Sequence, residues 1–221
     1  MRRWAPAVIV VVLLAATAVA FATTERQKLE QTPLGLLRVT KDFSPARASS
    51  VIVLRLMHPH LLTVQIVDAN DHAVATLARE QPFPAGRATL RWRGRHVADG
   101  VYEPRVTLED GRVFTLPNQI RVDSVAPRVA LVSYRPRILR KRHKPRIHIV
   151  YRVSELAHVI LYVNGRRELY SFAKATHAHV DWIARQNGRR LRRGRYRLRL
   201  TAVDLAGNVG ARTSVFVVRI R

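Results

Sequence analysis

The chain has 221 residues, 48% apolar and 24% charged, ordinary globular proportions that exclude wholesale disorder and allow one large domain or two small ones. It has no cysteine, which excludes structural disulfides, thiolate zinc sites and a cysteine nucleophile. Lysine and arginine number 39 against 15 acidic residues, a net charge of +24 that attracts phosphate-rich polymers and anionic lipid surfaces, although the strong preference for arginine over lysine also fits the codon bias of a GC-rich genome.

Residues 1–24 open with Arg2 and Arg3, followed by an uncharged apolar stretch from Trp4 to about Thr24. About 20 such residues span a bilayer as a helix. Two readings stand: a cleaved signal peptide, on the small-residue patterns Ala16-Thr17-Ala18 and Ala18-Val19-Ala20, or an uncleaved anchor, which the length of the run favours. Arg2 and Arg3 place the N-terminus in the cytoplasm and the rest of the chain outside. The expectation is a single-pass protein of a bacterial plasma membrane, held through residues 4–24, or a secreted one if the segment is cleaved. Residues 25–35, with mixed charge and Pro33, read as a spacer.

From Leu36 onward apolar residues recur with period two, and turn residues interrupt them about every ten positions. The predicted strands are 49–57, 61–68, 88–94, 101–109 and 114–122, then 128–134, 146–153, 158–164, 177–183, 195–204 and 214–220. The two sets resemble each other: Trp92 matches Trp182, Gly100 matches Gly194 and Tyr102 matches Tyr196, at similar spacings. VDSVAPRV, residues 122–129, divides them as a stiff connector. The fold class that follows is all-β: two tandem sandwich domains, 36–124 and 125–221, behind an N-terminal transmembrane helix.

These residues carry a family resemblance. IVDANDHAVATL with Trp92, Gly94, Gly100, Val101 and Tyr102, and LYVNGRRELYSF with Trp182, Gly188, Gly194 and Tyr196, are similar to the Ig-like domain named after the flagellar hook-capping protein. KDFSPARASS (41–50) resembles that family's opening loop in shortened form, and VDLAGN (203–208) the closing hairpin of many bacterial Ig-like modules. The resemblance implies Ig-like sandwiches over residues 36–221 and a non-catalytic structural or binding module of a cell envelope. The aspartate usual after the tryptophan is replaced by Arg93 and Ile183, and the second unit's opening loop is basic, which removes any acidic, metal-holding role for those loops.

Within RYRLRLTAVD, Tyr196, Leu198, Leu200 and Ala202 share one strand face, and Arg195, Arg197 and Arg199 share the other, as a half-buried strand requires. Two basic accumulations remain. One is Arg135, Arg137, Arg140, Lys141, Arg142, Lys144 and Arg146; the other is Arg189, Arg190, Arg192, Arg193 and Arg195, in a loop before a strand. Together they form a candidate anion-binding patch for a wall polymer, a lipid headgroup or nucleic acid, with guanidinium suited to bidentate contact. No aromatic residue is interleaved with these arginines to stack bases, which argues against nucleic acid. An anionic envelope polymer or a protein is therefore the expected partner, and oligomeric state is left open.

His177, His179 and Asp181 alternate on one strand face, a row that could share a metal, but a solvated strand face is the better account and no metal site is expected. Asp204, Gly207 and Asn208 read as turn residues without a catalytic role. Trp92 and Trp182 recur at equivalent positions, which makes them structural rather than sugar-stacking platforms. The sequence contains no nucleophile elbow, phosphate loop or zinc-helix motif. Neither an enzyme activity nor a cofactor is expected.

Overall fold

Alternating burial builds most of the long strands of this protein. In the computed structural model, which describes residues 33–140, 146–173, 177–186 and 188–221, β-structure accounts for all the regular elements. Among the described residues no helix is long and apolar enough to cross a membrane. The apolar segment 4–24 lies outside the described residues.

The first sandwich comprises β1 (Leu34–Val39), β2 (Asp42–Phe43), β3 (Ser50–Leu56), β4 (His60–Val67), β5 (Ala73–Phe83), β6 (Gly86–Trp92), β7 (Gly100–Leu108), β8 (Val113–Thr115) and β9 (Ile120–Val122). One sheet runs β1-β3-β6; the other runs β2-β9-β7-β4-β5, with β8 paired to β7. The second sandwich comprises β10 (Val129–Arg135), β11 (Ile138–Leu139), β12 (Arg146–Val153), β13 (Ala157–Val163), β14 (Arg166–Ala173), β15 (His177–Ile183), β16 (Arg185–Gln186), β17 (Arg189–Arg190), β18 (Gly194–Asp204) and β19 (Phe216–Ile220). Its sheets run β10-β12-β15 and β11-β19-β18-β13-β14, with a small β16-β17 hairpin beside them. Strand for strand, the two orders are the same. In each, a two-residue strand pairs in parallel with the last strand: Asp42 and Phe43 with Arg121 and Val122, Ile138 and Leu139 with Arg219 and Ile220.

Each sandwich has its own core between its two sheets. Ile52, Leu54, Leu62, Ile66 and Ile120 are fully enclosed in the first, and Ile147, Ile149, Tyr151, Leu161 and Leu198 in the second. Burial of such side chains contributes roughly 1.5–3 kcal/mol each relative to exposure. The repeated landmarks fall at one corner of each unit. Tyr102 Oη donates to the Ala98 carbonyl at 2.8 Å and Tyr196 Oη to the Arg192 carbonyl at 2.8 Å, each ring lying over the glycine two residues earlier. A tyrosine at the start of this strand, bonded back to upstream backbone, is a hallmark of Ig-type sandwiches. Trp92 stands edge-on to both Tyr102 and Phe43.

Some predicted strands differ in the structure. Residues 114–122 are not one strand: Pro117, which has no N–H to give, separates β8 from β9. β5 and β14, absent from the predicted set, are edge strands with mostly exposed residues in β5. Arg189 and Arg190, expected in a loop, form β17.

Candidate functional site

The connector between the sandwiches is held by hydrogen bonds on both sides. Asn208, 6% exposed, donates through Nδ2 to the Asp123 carbonyl at 2.8 Å, to the Val125 carbonyl at 3.3 Å and to Asp204 Oδ2 at 2.8 Å. Ser44 N–H of the first sandwich donates to the Ala206 carbonyl of the second at 3.1 Å. Ser124 donates through N–H and Oγ to the two oxygens of Asp99, both at 3.0 Å. Gly210 passes so close to the Pro127 carbonyl that a Cβ there would collide with it. VDLAGN is therefore more than a tight turn: its Asp204 and Asn208 are buried at the junction.

Three carboxylates meet at this junction. Oxygen atoms of Asp123, Glu155 and Asp204 lie within 4.8 Å of one another, a separation that oxygen ligands of one divalent cation at roughly 2.3–2.6 Å can have. Asp204 is partnered by the Asn208 backbone and amide, and Asp123 accepts from Val125 N–H. Glu155 accepts from Ser154 Oγ at a long 3.4 Å. Burial raises the Glu155 carboxyl above its ordinary pKa, and the charges of Asp123 and Asp204 raise it further. The sequence signal was present in three separate acidic residues, but their convergence depends on the relative placement of two sandwiches.

The predicted basic residues divide into groups. Arg135, Arg137 and Arg140 are exposed, as are Arg189, Arg190, Arg192, Arg193 and Arg195. The sheet brings these two sets to one end of itself: Ile138 pairs with Arg219, which pairs with Arg195, and Leu139 pairs with Ile220, which pairs with Gly194. At about 4.8 Å per strand step, the two segments are roughly 10 Å apart. Arg146 does not join them as a free cation, since it contacts Asp181 at 3.3 Å on the other sheet. Lys141, Arg142 and Lys144 lie outside the described residues.

Among the clustered arginines Arg137 has an aromatic neighbour, and two further arginine–tyrosine pairs lie outside the clusters. Guanidinium groups lie over tyrosine rings that are distant or offset in sequence: Arg137 over Tyr134 at 5.4 Å, Arg167 over Tyr170 at 4.7 Å and Arg212 over Tyr162 at 4.2 Å. His158 stacks on Tyr170 at 4.4 Å. Arg137 and Arg167 each lie three residues from their tyrosine, whereas Arg212 and Tyr162 are far apart in sequence and linear spacing does not reveal their contact.

The His177, His179 and Asp181 row gains a member that sequence reasoning missed. His148, on the neighbouring strand and paired with Asp181, contacts its carboxylate through Nδ1 at 2.8 Å, and its ring lies 4.7 Å from that of His179. His148 first, then Arg146, hold the Asp181 carboxyl below its ordinary pKa. Asp181 is therefore engaged by the protein's own Arg146 and His148. Trp92 and Trp182 are 4% and 3% exposed, so neither presents a surface for a sugar.

No family model matches the sequence, and no curated protein matches it. Solved structures of related shape do exist. The fibronectin(III)-like modules of CbhA from Clostridium thermocellum align over 85% of this chain and 92% of that one, at 16% identity and a TM-score of 0.46. The human OSCAR ligand-binding domain aligns over 84% and 96%, at 11% identity and a TM-score of 0.36. A 1.5-MDa bacterial ice-binding adhesin aligns over 86% of this chain and 66% of that structure's chain, at 16% identity and a TM-score of 0.33. The chain's structural neighbours thus include fibronectin(III)-like and Ig-like β-sandwich modules.

Proposed function

We propose that this protein is a non-catalytic structural or binding module of a bacterial envelope, two Ig-like units of the hook-capping type held outside the plasma membrane by residues 4–24. The observation that carries this reading is the bonded connector. Asn208 and Ser44 tie the two sandwiches through hydrogen bonds that a free linker lacks, which suits a stiff spacer that projects a surface from the membrane. The test is fractionation of cells expressing the full chain, with protease added outside. The expected outcome is recovery with the inner membrane and digestion of residues 36–221 only once the envelope is permeable to protease. Recovery in the cytosol would sink it.

A second reading is supported by the meeting of the two arginine clusters at one sheet end: a polyanion-binding surface on the second sandwich. None of Arg135, Arg137, Arg140, Arg189, Arg190, Arg192 or Arg193 has a carboxylate partner among the described residues. Charge reversal of Arg189, Arg190, Arg192 and Arg193 to glutamate is expected to abolish cosedimentation with isolated envelopes at low salt. Unchanged cosedimentation would remove this reading and leave the first intact.

A further inference from the structure

A groove separate from the two predicted clusters opens on the outer face of the second sandwich's larger sheet. Its volume is about 460 Å³, and Tyr162, Asn164, Gly165, Arg197, Arg199 and Arg212 line it. The backbone explains the convergence. Tyr162 pairs with Arg199 across β13 and β18, so both side chains stand on the same face. The Asn164-Gly165 turn, with both residues at positive φ, curls back so that Asn164 N–H donates to the Arg197 carbonyl at 2.8 Å and Asn164 Oδ1 accepts from Arg197 N–H at 2.9 Å. On the other side Thr213 is bonded to Leu200 through both its backbone N–H and its hydroxyl, which sets Arg212 over the Tyr162 ring.

Three guanidinium groups thus share one groove. Arg197, Arg199 and Arg212 are exposed and have no carboxylate partner among the described residues. Mutual repulsion of three cations around one cleft is relieved by an anion, and the guanidinium fork grips a carboxylate, as it does a phosphate, with two parallel N–H bonds. Arg195, Arg197 and Arg199 continue as a row on the same strand face, about 6.8 Å apart, so a ligand with repeated carboxylates engages successive members. Neutral hydrogen-bonding groups, the Tyr162 hydroxyl, the Asn164 amide and the Gly165 backbone, stand beside the cations and match a ligand rich in hydroxyls. Bases find little purchase in the groove: Arg212 covers the Tyr162 ring, whereas single-stranded nucleic acid needs open aromatic faces.

We infer that this groove binds an acidic polysaccharide, with Arg197, Arg199 and Arg212 holding its carboxylates and Tyr162 and Asn164 its hydroxyls. The inference rests on the polyanion-binding reading and gives it a site and a ligand class. The test uses the full chain in neutral detergent, titrated at low salt with a defined-length oligogalacturonate, with neutral dextran and with a single-stranded oligonucleotide. Oligogalacturonate is expected to bind tightest and dextran not at all. The triple variant Arg197→Gln, Arg199→Gln, Arg212→Gln is expected to lose about tenfold or more in affinity, as removal of charge-assisted hydrogen bonds does. The triple variant Arg55→Gln, Arg87→Gln, Arg91→Gln removes the same charge from exposed positions of the first sandwich and is expected to lose less than about threefold. Arg199→Lys keeps both the charge and the fold, and its expected loss of affinity isolates the planar fork. Equal loss in the two triple variants, or no loss in Arg199→Lys, overturns the groove while leaving the polyanion reading in place. Tighter binding of the oligonucleotide overturns the ligand class. Binding of neither polyanion overturns the inference and the reading together.

Discussion

Glu155 stands in a setting that its charged form disfavours. It stands at the junction with Asp123 and Asp204 within 4.8 Å, and burial, then those two charges, raise its pKa. The folded chain therefore holds a proton on Glu155 at pH values where the unfolded chain has released it. Stability from this group is fully present below the ordinary glutamate range and is lost as pH rises through the raised folded value. Glu155→Gln removes the ionised form, so its melting temperature is expected to exceed that of the wild type by a few degrees near neutrality. In mild acid the two proteins are expected to melt together. Thermal melts across that range check the prediction, and a variant less stable than the wild type at neutral pH would refute it.

At the scale of elements, the long central strands were legible because one face of each is apolar. β18 buries Leu198, Leu200 and Ala202 while Arg195, Arg197 and Arg199 face water, and β12 alternates in the same way. The tyrosine corners were legible too, because Gly100 with Tyr102 and Gly194 with Tyr196 recur at equivalent positions. Edge strands were not. β5, AVATLAREQPF, buries only Ala78, since one edge of it lacks a neighbouring strand and no period-two pattern is imposed. The candidate sites were the least legible part. The groove joins Tyr162 to Arg199 through register and to Arg212 through a loop. The junction joins residues from 123 to 204. Both are products of pairing between distant segments, on which local spacing carries no information.

At the scale of the whole molecule, Asn208 is one of the residues that tie the second sandwich to the connector. Its amide satisfies carbonyls of the connector and the buried Asp204 carboxylate together. Asn208→Ala leaves that carboxylate without its side-chain donor, at an expected cost of about 1–3 kcal/mol. The junction is expected to loosen while each sandwich stays folded, read as a broader distribution of maximum dimensions in small-angle scattering with unchanged strand content by circular dichroism. An unaltered scattering profile would show that the connector is held by its other bonds.

The paired end strands have a mechanical consequence. In each sandwich a two-residue strand near the start runs parallel to the final strand, and flanking backbone bonds extend the contact: Arg121 N–H to the Lys41 carbonyl, Asp123 N–H to that of Phe43, Arg219 N–H to that of Arg137 and Arg221 N–H to that of Leu139. When tension draws the two ends of such a unit apart, parallel neighbours slide in opposite directions along their axes. Force then crosses these hydrogen bonds sideways and loads them all at once, whereas an antiparallel pair pulled from one end peels open bond by bond. Both units are thus clamped against stretching near their two ends.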